Sequence, residues 1–165
     1  MRLRNARPED LSAIMLIEAE NFAPEEAASK GAMAQRIDQA ADSFLLVEDE
    51  ASGSILAYVA SVPCPDERLS DDLFETVPDL APDQAYLAIL SLSVLSDVKG
   101  QGLGTMLLAA LKDLAQARGY RGISLTCHDY LVAYYEANGF VDLGYSASTH
   151  GGSSWIDMIW RPDAS

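Results

Sequence analysis

Cysteine and histidine are scarce in this chain, with two of each among 165 residues. Cys64 and Cys127 make no disulfide framework and no zinc site, so a reducing cytoplasm is the simplest home and no metal is expected. Basic residues are few: 11 Lys and Arg stand against 25 Asp and Glu, a formal net charge of −14. That balance argues against nucleic acid as a partner, because phosphate neutralisation needs clustered Lys and Arg. Long apolar runs are missing too, and none approaches the ~20 residues of a membrane span. The opening Met1 to Arg7 carries charge with no apolar core behind it, so it does not read as a secretory signal. What remains is one domain over residues 1–165, a monomer or homodimer away from the membrane. Its acidic excess either serves solubility or draws a cationic small molecule.

The pattern that is present alternates between strand and helix. Leu3 to Ala6 reads as a short strand, and Pro8-Glu9-Asp10 opens a helix continued by Leu11, Ile14, Ile17 and Glu18. A second helix is expected to restart after Pro24, with Gly31 a weak point inside it. "SFLLVED" and "SILAYVASV", split by Ala51-Ser52-Gly53, read as an antiparallel hairpin. Residues 63–84 form a long, partly helical excursion, and such connections are often functional. Tyr86 to Leu95 is apolar on both faces apart from Ser91 and Ser93, the sign of a covered central strand. Met106, Leu107, Ala110, Leu111 and Leu114 mark a helix packed on it, ended by Gly119. "GISLTC", "YLVAYYEAN", "FVDLGYSAS" and "WIDMIWR" follow as strand, helix, strand and strand. The order β-α-α-β-β-β-α-β-α-β-β implies an α/β fold, a mixed sheet with helices on both faces.

Between the central strand and its helix stand Gly100, Gly102 and Gly104. Glycines there let backbone N–H groups crowd around an anion, and the helix N-terminus adds partial positive charge. A dinucleotide fingerprint would need its third glycine at Thr105, and no G-K-[ST] follows, so neither that fold nor a P-loop fits. The placement suits a pyrophosphate cradle.

"LSLSVLSDVKGQGLGTMLL" resembles the acetyl-CoA motif of the GCN5-related N-acetyltransferases, a strand followed by [Q/R]-x-x-G-x-[G/A] opening a helix. Lys99 stands in the usual Arg or Gln place. "YYEANGF" is similar to that family's second cofactor segment. Within the family the likeness is greatest to the arylalkylamine (serotonin) N-acetyltransferase group, over roughly residues 4–160. The resemblance implies a mostly antiparallel sheet with acetyl-CoA in the cleft where two parallel central strands splay. It implies that Leu92, Ser93 and Val94 hold the pantetheine arm, and that Lys99, Gly100, Gln101, Gly102, Leu103, Gly104 and Thr105 hold the pyrophosphate. Tyr135 would lie beside the cofactor sulfur. The vertebrate serotonin enzymes carry two histidines on the central strand, whereas this chain has Ala88 and Leu90 there, so the amine proton must leave by another route.

The chemistry can be argued from pKa values alone. A primary amine near ~10.4 is neutral in about one molecule in 2,500 at pH 7, a cost of about 4.6 kcal/mol. Attack on a thioester needs the neutral amine, so a group must accept its proton. His128 is the candidate, since an imidazole titrates near ~6.5. Departure of the thiol needs a donor; a phenol near ~10 can share a proton with a thiol near ~8.5, and the resemblance puts Tyr135 in that place. Cys127 reads as a small buried hydrophobe, and Tyr130 and Tyr134 as packing residues.

Other residues have two readings each. Phe22 and Pro24 resemble the apolar wall of the family's acceptor loop, or form a hydrophobic staple at a helix start. His150 lines the acceptor pocket or lies in a surface loop. Glu25, Glu26, Glu75 and Asp129 bind a second cationic group or are simply solvated. The expectation is transfer of acetyl from acetyl-CoA to a small primary amine, an arylalkylamine or polyamine, in a ternary complex. The alternatives are acetylation of protein N-termini or lysines, and a non-catalytic acyl-CoA-binding module.

Overall fold

The computed structural model describes residues 1–75, 84–146 and 154–162. Its element order is β1 (Arg2–Asn5), α1 (Leu11–Asn21), α2 (Lys30–Gln39), β2 (Phe44–Glu48), β3 (Ile55–Cys64), β4 (Tyr86–Val94), α3 (Leu103–Ala117), β5 (Gly122–Cys127), α4 (Val132–Ala137), β6 (Val141–Tyr145) and β7 (Ile156–Trp160). This is the order expected from the sequence. The strands form one seven-stranded sheet in the order β1-β2-β3-β4-β5-β7-β6. Every neighbouring pair is antiparallel except β4 and β5, which run parallel.

Period-two alternation in the strands builds a core on each face. Val47, Ala57, Val59, Leu87 and Ile89 meet Leu103, Leu107, Leu108 and Leu111 of α3 on one side. Phe44, Leu46, Tyr58 and Ala60 meet Ile14 and Ile17 of α1 and Met33 and Ile37 of α2 on the other. Helices therefore cover both faces, and each buried aliphatic side chain contributes roughly 1.5–3 kcal/mol. A third cluster joins Ala88 and Leu90 to Val62, Cys64, Leu69 and Leu73, which ties the start of the 63–84 excursion to the sheet.

The second helix begins later than expected. Residues 24–27 make a turn closed by Ala27 N–H on the Ala23 carbonyl (2.9 Å), and Ser29 caps the helix by accepting from Ala32 N–H (3.0 Å). Gly31 thus falls in the first turn, where its missing side chain costs the helix little. Pro8, Glu9 and Asp10 form a 3-10 turn ahead of α1 rather than its first turn. Asp10 is buried there and accepts from Arg7 N–H (2.7 Å) and twice from Arg4 (2.8 and 2.9 Å). The first strand lies one residue earlier than expected, and a 3-10 turn at Asp129–Leu131 precedes the short α4.

Two features of β4 position the site. It pairs with β3 as far as Val94, but with β5 only from Tyr86↔Gly122 to Ile89↔Leu125. Beyond Ile89 the parallel strands part, and the β5-facing edge of β4 has no strand partner among the described residues. Opposite the break, the register shifts between Ala60↔Ser91 and Ser61↔Ile89, leaving Leu90 as the extra residue of a bulge. The bulge turns Leu90 and Ser91 to the same face: Leu90 joins the third cluster and Ser91 bonds to α1.

Candidate active site

A cavity of about 370 Å³ opens where β4 and β5 part. Its wall combines the β4 bulge (Leu90, Ser91, Leu92), the end of β5 (Thr126, Cys127) and His128 just after it, Glu18 of α1, Arg36 of α2 and Tyr135 of α4. Its volume suits a small ligand. Of the residues given catalytic, cofactor or acceptor-wall roles from sequence, Leu92, Lys99, His128, Tyr135 and Phe22 line it. Pro24 is exposed and not part of the lining, so only Phe22 of that pair forms an apolar wall. His150 lies outside the described residues. Ser93 is buried on the Tyr58 side of β4, and Val94 directs its carbonyl to the Asn21 amide (3.1 Å).

The cradle lies just beyond the strand. Gly102 takes φ +78°, a left-handed conformation that side chains disfavour, and stands as the N-cap of α3. Met106 N–H closes the first turn on the Gly102 carbonyl (3.0 Å), so the N–H groups of Leu103, Gly104 and Thr105 face outward ahead of it. Gly104 serves a different purpose: a Cβ there would overlap the Tyr134 hydroxyl. Gly100, Gln101, Gly102 and Thr105 are exposed around this opening. N–H groups left without a helical partner at a helix start, behind exposed glycines, fit a diphosphate.

His128 follows β5 directly, and its Nε2 lies 3.1 Å from Glu26 Oε2. Trp155 stacks on the imidazole at 4.4 Å between ring centroids and Tyr130 at 5.2 Å. Tyr130 is 74% exposed, so it is not the packing residue expected; its ring borders the cavity mouth beside His128. Of the four acids considered as cation ligands, only Glu26 lines the cavity, whereas Glu25, Glu75 and Asp129 are exposed.

Tyr135 is buried against Phe140 and Tyr134, at 5.6 and 5.2 Å between ring centroids. Burial first, then Cys127 and Tyr134, push its hydroxyl well above the usual phenol range. Cys127 is buried as expected, with its Sγ 3.7 Å from Met158 Sδ, and burial pushes its thiol up to about 12. It is therefore no nucleophile at neutral pH.

Two charged residues of the cavity were not among the site candidates from sequence. Glu18 is 2% exposed and accepts hydrogen bonds from Tyr58 Oη, Ala28 N–H (2.8 Å) and Ser91 Oγ (3.3 Å). Burial and the nearby Glu18 raise the Tyr58 hydroxyl far above its ordinary value, so Tyr58 is the donor. Arg36 is also 2% exposed. Glu18 continues the helical spacing of Leu11, Ile14 and Ile17 and is buried with the last two, but nothing in that spacing assigns it a role; Arg36 is brought inward with Met33 and Ile37 of α2. The β4 serines were the available signal, because a polar side chain on a doubly covered strand needs a polar partner.

Among the described residues no group of His, Cys, Asp and Glu could hold a metal, and no helix is long and apolar enough to cross a membrane.

Residues 11–140 match the profile of the acetyltransferase (GNAT) family. Solved structures agree in fold at low identity. The GNAT-like decarboxylase GphF, determined with isobutyryl-CoA, superposes with a TM-score of 0.82 at 18% identity, covering 98% of this chain and 99% of that one. The loading GNATL domain of CurA from Lyngbya majuscula gives 0.80 at 14% identity over 97% and 96%. A phosphinothricin acetyltransferase from Sinorhizobium meliloti, determined with acetyl-CoA, gives 0.71 at 20% over 97% and 87%. No curated protein matches the chain in sequence.

Proposed function

The chain belongs to the acetyltransferase (GNAT) family, and from that premise we propose that it moves an acetyl group from acetyl-CoA to the primary amine of a small cytoplasmic molecule, an arylalkylamine or a polyamine. The observation that carries this reading is the cavity, which joins the open edge of β4, Tyr135 and the His128–Glu26 pair in one space. CoA supplies the acetyl group as a thioester, a carbonyl open to attack by a neutral amine.

The chain's own groups do the rest. The free edge of β4 around Leu92 offers main-chain hydrogen bonds to the amide-bearing arm of the cofactor. The N–H groups of Leu103, Gly104 and Thr105 hold its diphosphate with the dipole of α3 behind them. Glu18 and Glu26 make the acceptor side attractive to a cationic amine. Glu26 orients His128, whose imidazole accepts the amine proton directly or through a water. Trp155, Tyr130, Phe22 and Phe74 supply flat or apolar wall for an aryl group or a methylene chain. Tyr135, kept protonated by burial, gives its proton to the departing sulfur.

A peptide acceptor would call for an open groove, whereas Glu18 and Arg36 place fully buried charge at the cavity wall. That depth favours a small acceptor. The test is CoA release from acetyl-CoA with tryptamine, phenethylamine, spermidine and a lysine peptide. Turnover is expected with at least one small amine and not with the peptide. Turnover with the peptide alone would reverse the assignment of acceptor class.

A further inference from the structure

Arg36 is a buried charge of the cavity that the described residues answer only in part. It projects from α2, is 2% exposed and forms part of the cavity wall. Its Nη2 donates to the Phe74 carbonyl (3.1 Å), while its Nη1 is buried with no partner among the described residues. A guanidinium carries five N–H donors in a planar fork and stays charged in proteins. Burial lowers its pKa, and Glu18 opposes that through space.

Glu18 does not complete the arrangement: it accepts from Tyr58, Ala28 and Ser91, and among the described residues no hydrogen bond or ion pair joins it to Arg36. The deficit is therefore on the donor side. Leaving a buried cation short of acceptors is costly, and the group that would relieve it is an anion with two coplanar oxygens.

We propose that Arg36 binds a carboxylate of the molecule held in this cavity. The inference rests on the acyl-transfer reading of the same cavity and replaces either its carboxylate-free amine or its acetyl group by a carboxylate-bearing counterpart. A carboxylate on the acceptor makes the acceptor an amino acid, its amine drawn to the Glu18 and Glu26 side and its acid to Arg36. A carboxylate on the acyl group makes the donor a dicarboxylic acyl-CoA. The chemistry at Arg36 is the same in both cases.

Matched pairs separate the two sources. In the first arm, CoA release from acetyl-CoA is measured for tryptophan against tryptamine, phenylalanine against phenethylamine, and ornithine against putrescine. In the second, binding of malonyl-CoA is compared with that of acetyl-CoA by calorimetry. The expected result is a preference of about tenfold or more for the carboxylate-bearing member in one arm, the size of a charge-assisted bidentate contact. Arg36→Gln should erase that preference, and Arg36→Lys, which keeps the charge without the fork, should retain part of it. The wild-type preferences need no variant, so poor folding of Arg36→Gln does not stop the test. No preference in either arm, or a preference that survives Arg36→Gln, overturns the proposal. If neither acyl-CoA binds, the acyl-transfer reading falls and this inference with it; if they bind with no carboxylate preference in either arm, only this inference falls.

Discussion

A phenol held well above its usual range by burial keeps its proton throughout the neutral region, which is the state that a donor to a leaving thiolate must have. The same burial widens the gap between Tyr135 and a thiol near ~8.5, so the proton moves only as negative charge grows on the sulfur. Replacing Tyr135 by Phe keeps the ring against Phe140 and removes only the hydroxyl. Turnover should fall about 10²–10⁴-fold with acetyl-CoA affinity nearly unchanged. Tyr134 lies outside the cavity lining, and Tyr134→Phe should leave turnover within about threefold, since it lies about 100° round the helix. Steady-state kinetics on a good acceptor check both. Equal loss in the two variants would mean that packing, not the hydroxyl, is at stake.

At the scale of elements, the cradle and α4 are built against each other. The turn into α3 approaches Tyr134 so closely that a Cβ at Gly104 would make the Tyr134 hydroxyl shift. Gly104→Ala should therefore lose about 1 kcal/mol or less, the displaced hydroxyl outweighing the helix propensity that alanine gains. Tyr134→Phe in the same chain should recover part of that loss, because the overlapping atom is the hydroxyl. Chemical denaturation of the two single variants and the double variant measures the coupling. Strict additivity would contradict the close approach.

The glycine turn, the covered central strand and the order of elements were legible in the sequence, because each leaves a local mark: positive φ, doubly apolar faces, helical spacing. The start of α2 was not, since Ser29 competes as a cap with the earlier Pro24 signal. Nor was the charge lining the cavity. Glu18 meets Tyr58 and Ser91 across 40 and 73 residues, and no local pattern reports so distant a partner. His128, Tyr135 and Phe22 were recognised as candidates and do share one space. The pairing of His128 with Glu26 and Trp155, and the place of Arg36 in the cavity wall, come from the tertiary fold.

At the scale of the molecule, one ionic cluster ties the first strand to the rest. Arg4 bonds to Asp10 and to Glu48 Oε2 (2.8 Å), and Arg2 also reaches Glu48, so β1, the first turn and β2 are joined. Burial alone would raise the Asp10 carboxyl, but hydrogen bonds from Arg4 and Arg7 outweigh it and hold it below the usual range. A depressed folded value stabilises above the ordinary carboxylate pKa and is lost as pH falls through the folded one. Asp10→Asn should thus cost about 1–3 kcal/mol at pH 7, the worth of hydrogen bonds to a charged group. The gap from wild type should close progressively below about pH 4. Urea unfolding across that range checks the sign; a gap that persists unchanged to low pH would contradict it.

The whole account depends on α3 beginning in a cradle that accepts the diphosphate of an acyl-CoA. The most direct measurement is the melting temperature with acetyl-CoA, NADH or ATP, each at millimolar concentration, for wild type and Gly102→Val. Gly102 has open space around it and φ +78°, so a valine there strains the turn and sets a branched side chain at the diphosphate without disturbing the core. The account predicts a rise of several degrees with acetyl-CoA alone, as expected for a ligand far above its Kd, and loss of that rise in Gly102→Val. No rise with acetyl-CoA, or an equal rise with NADH or ATP, would contradict it.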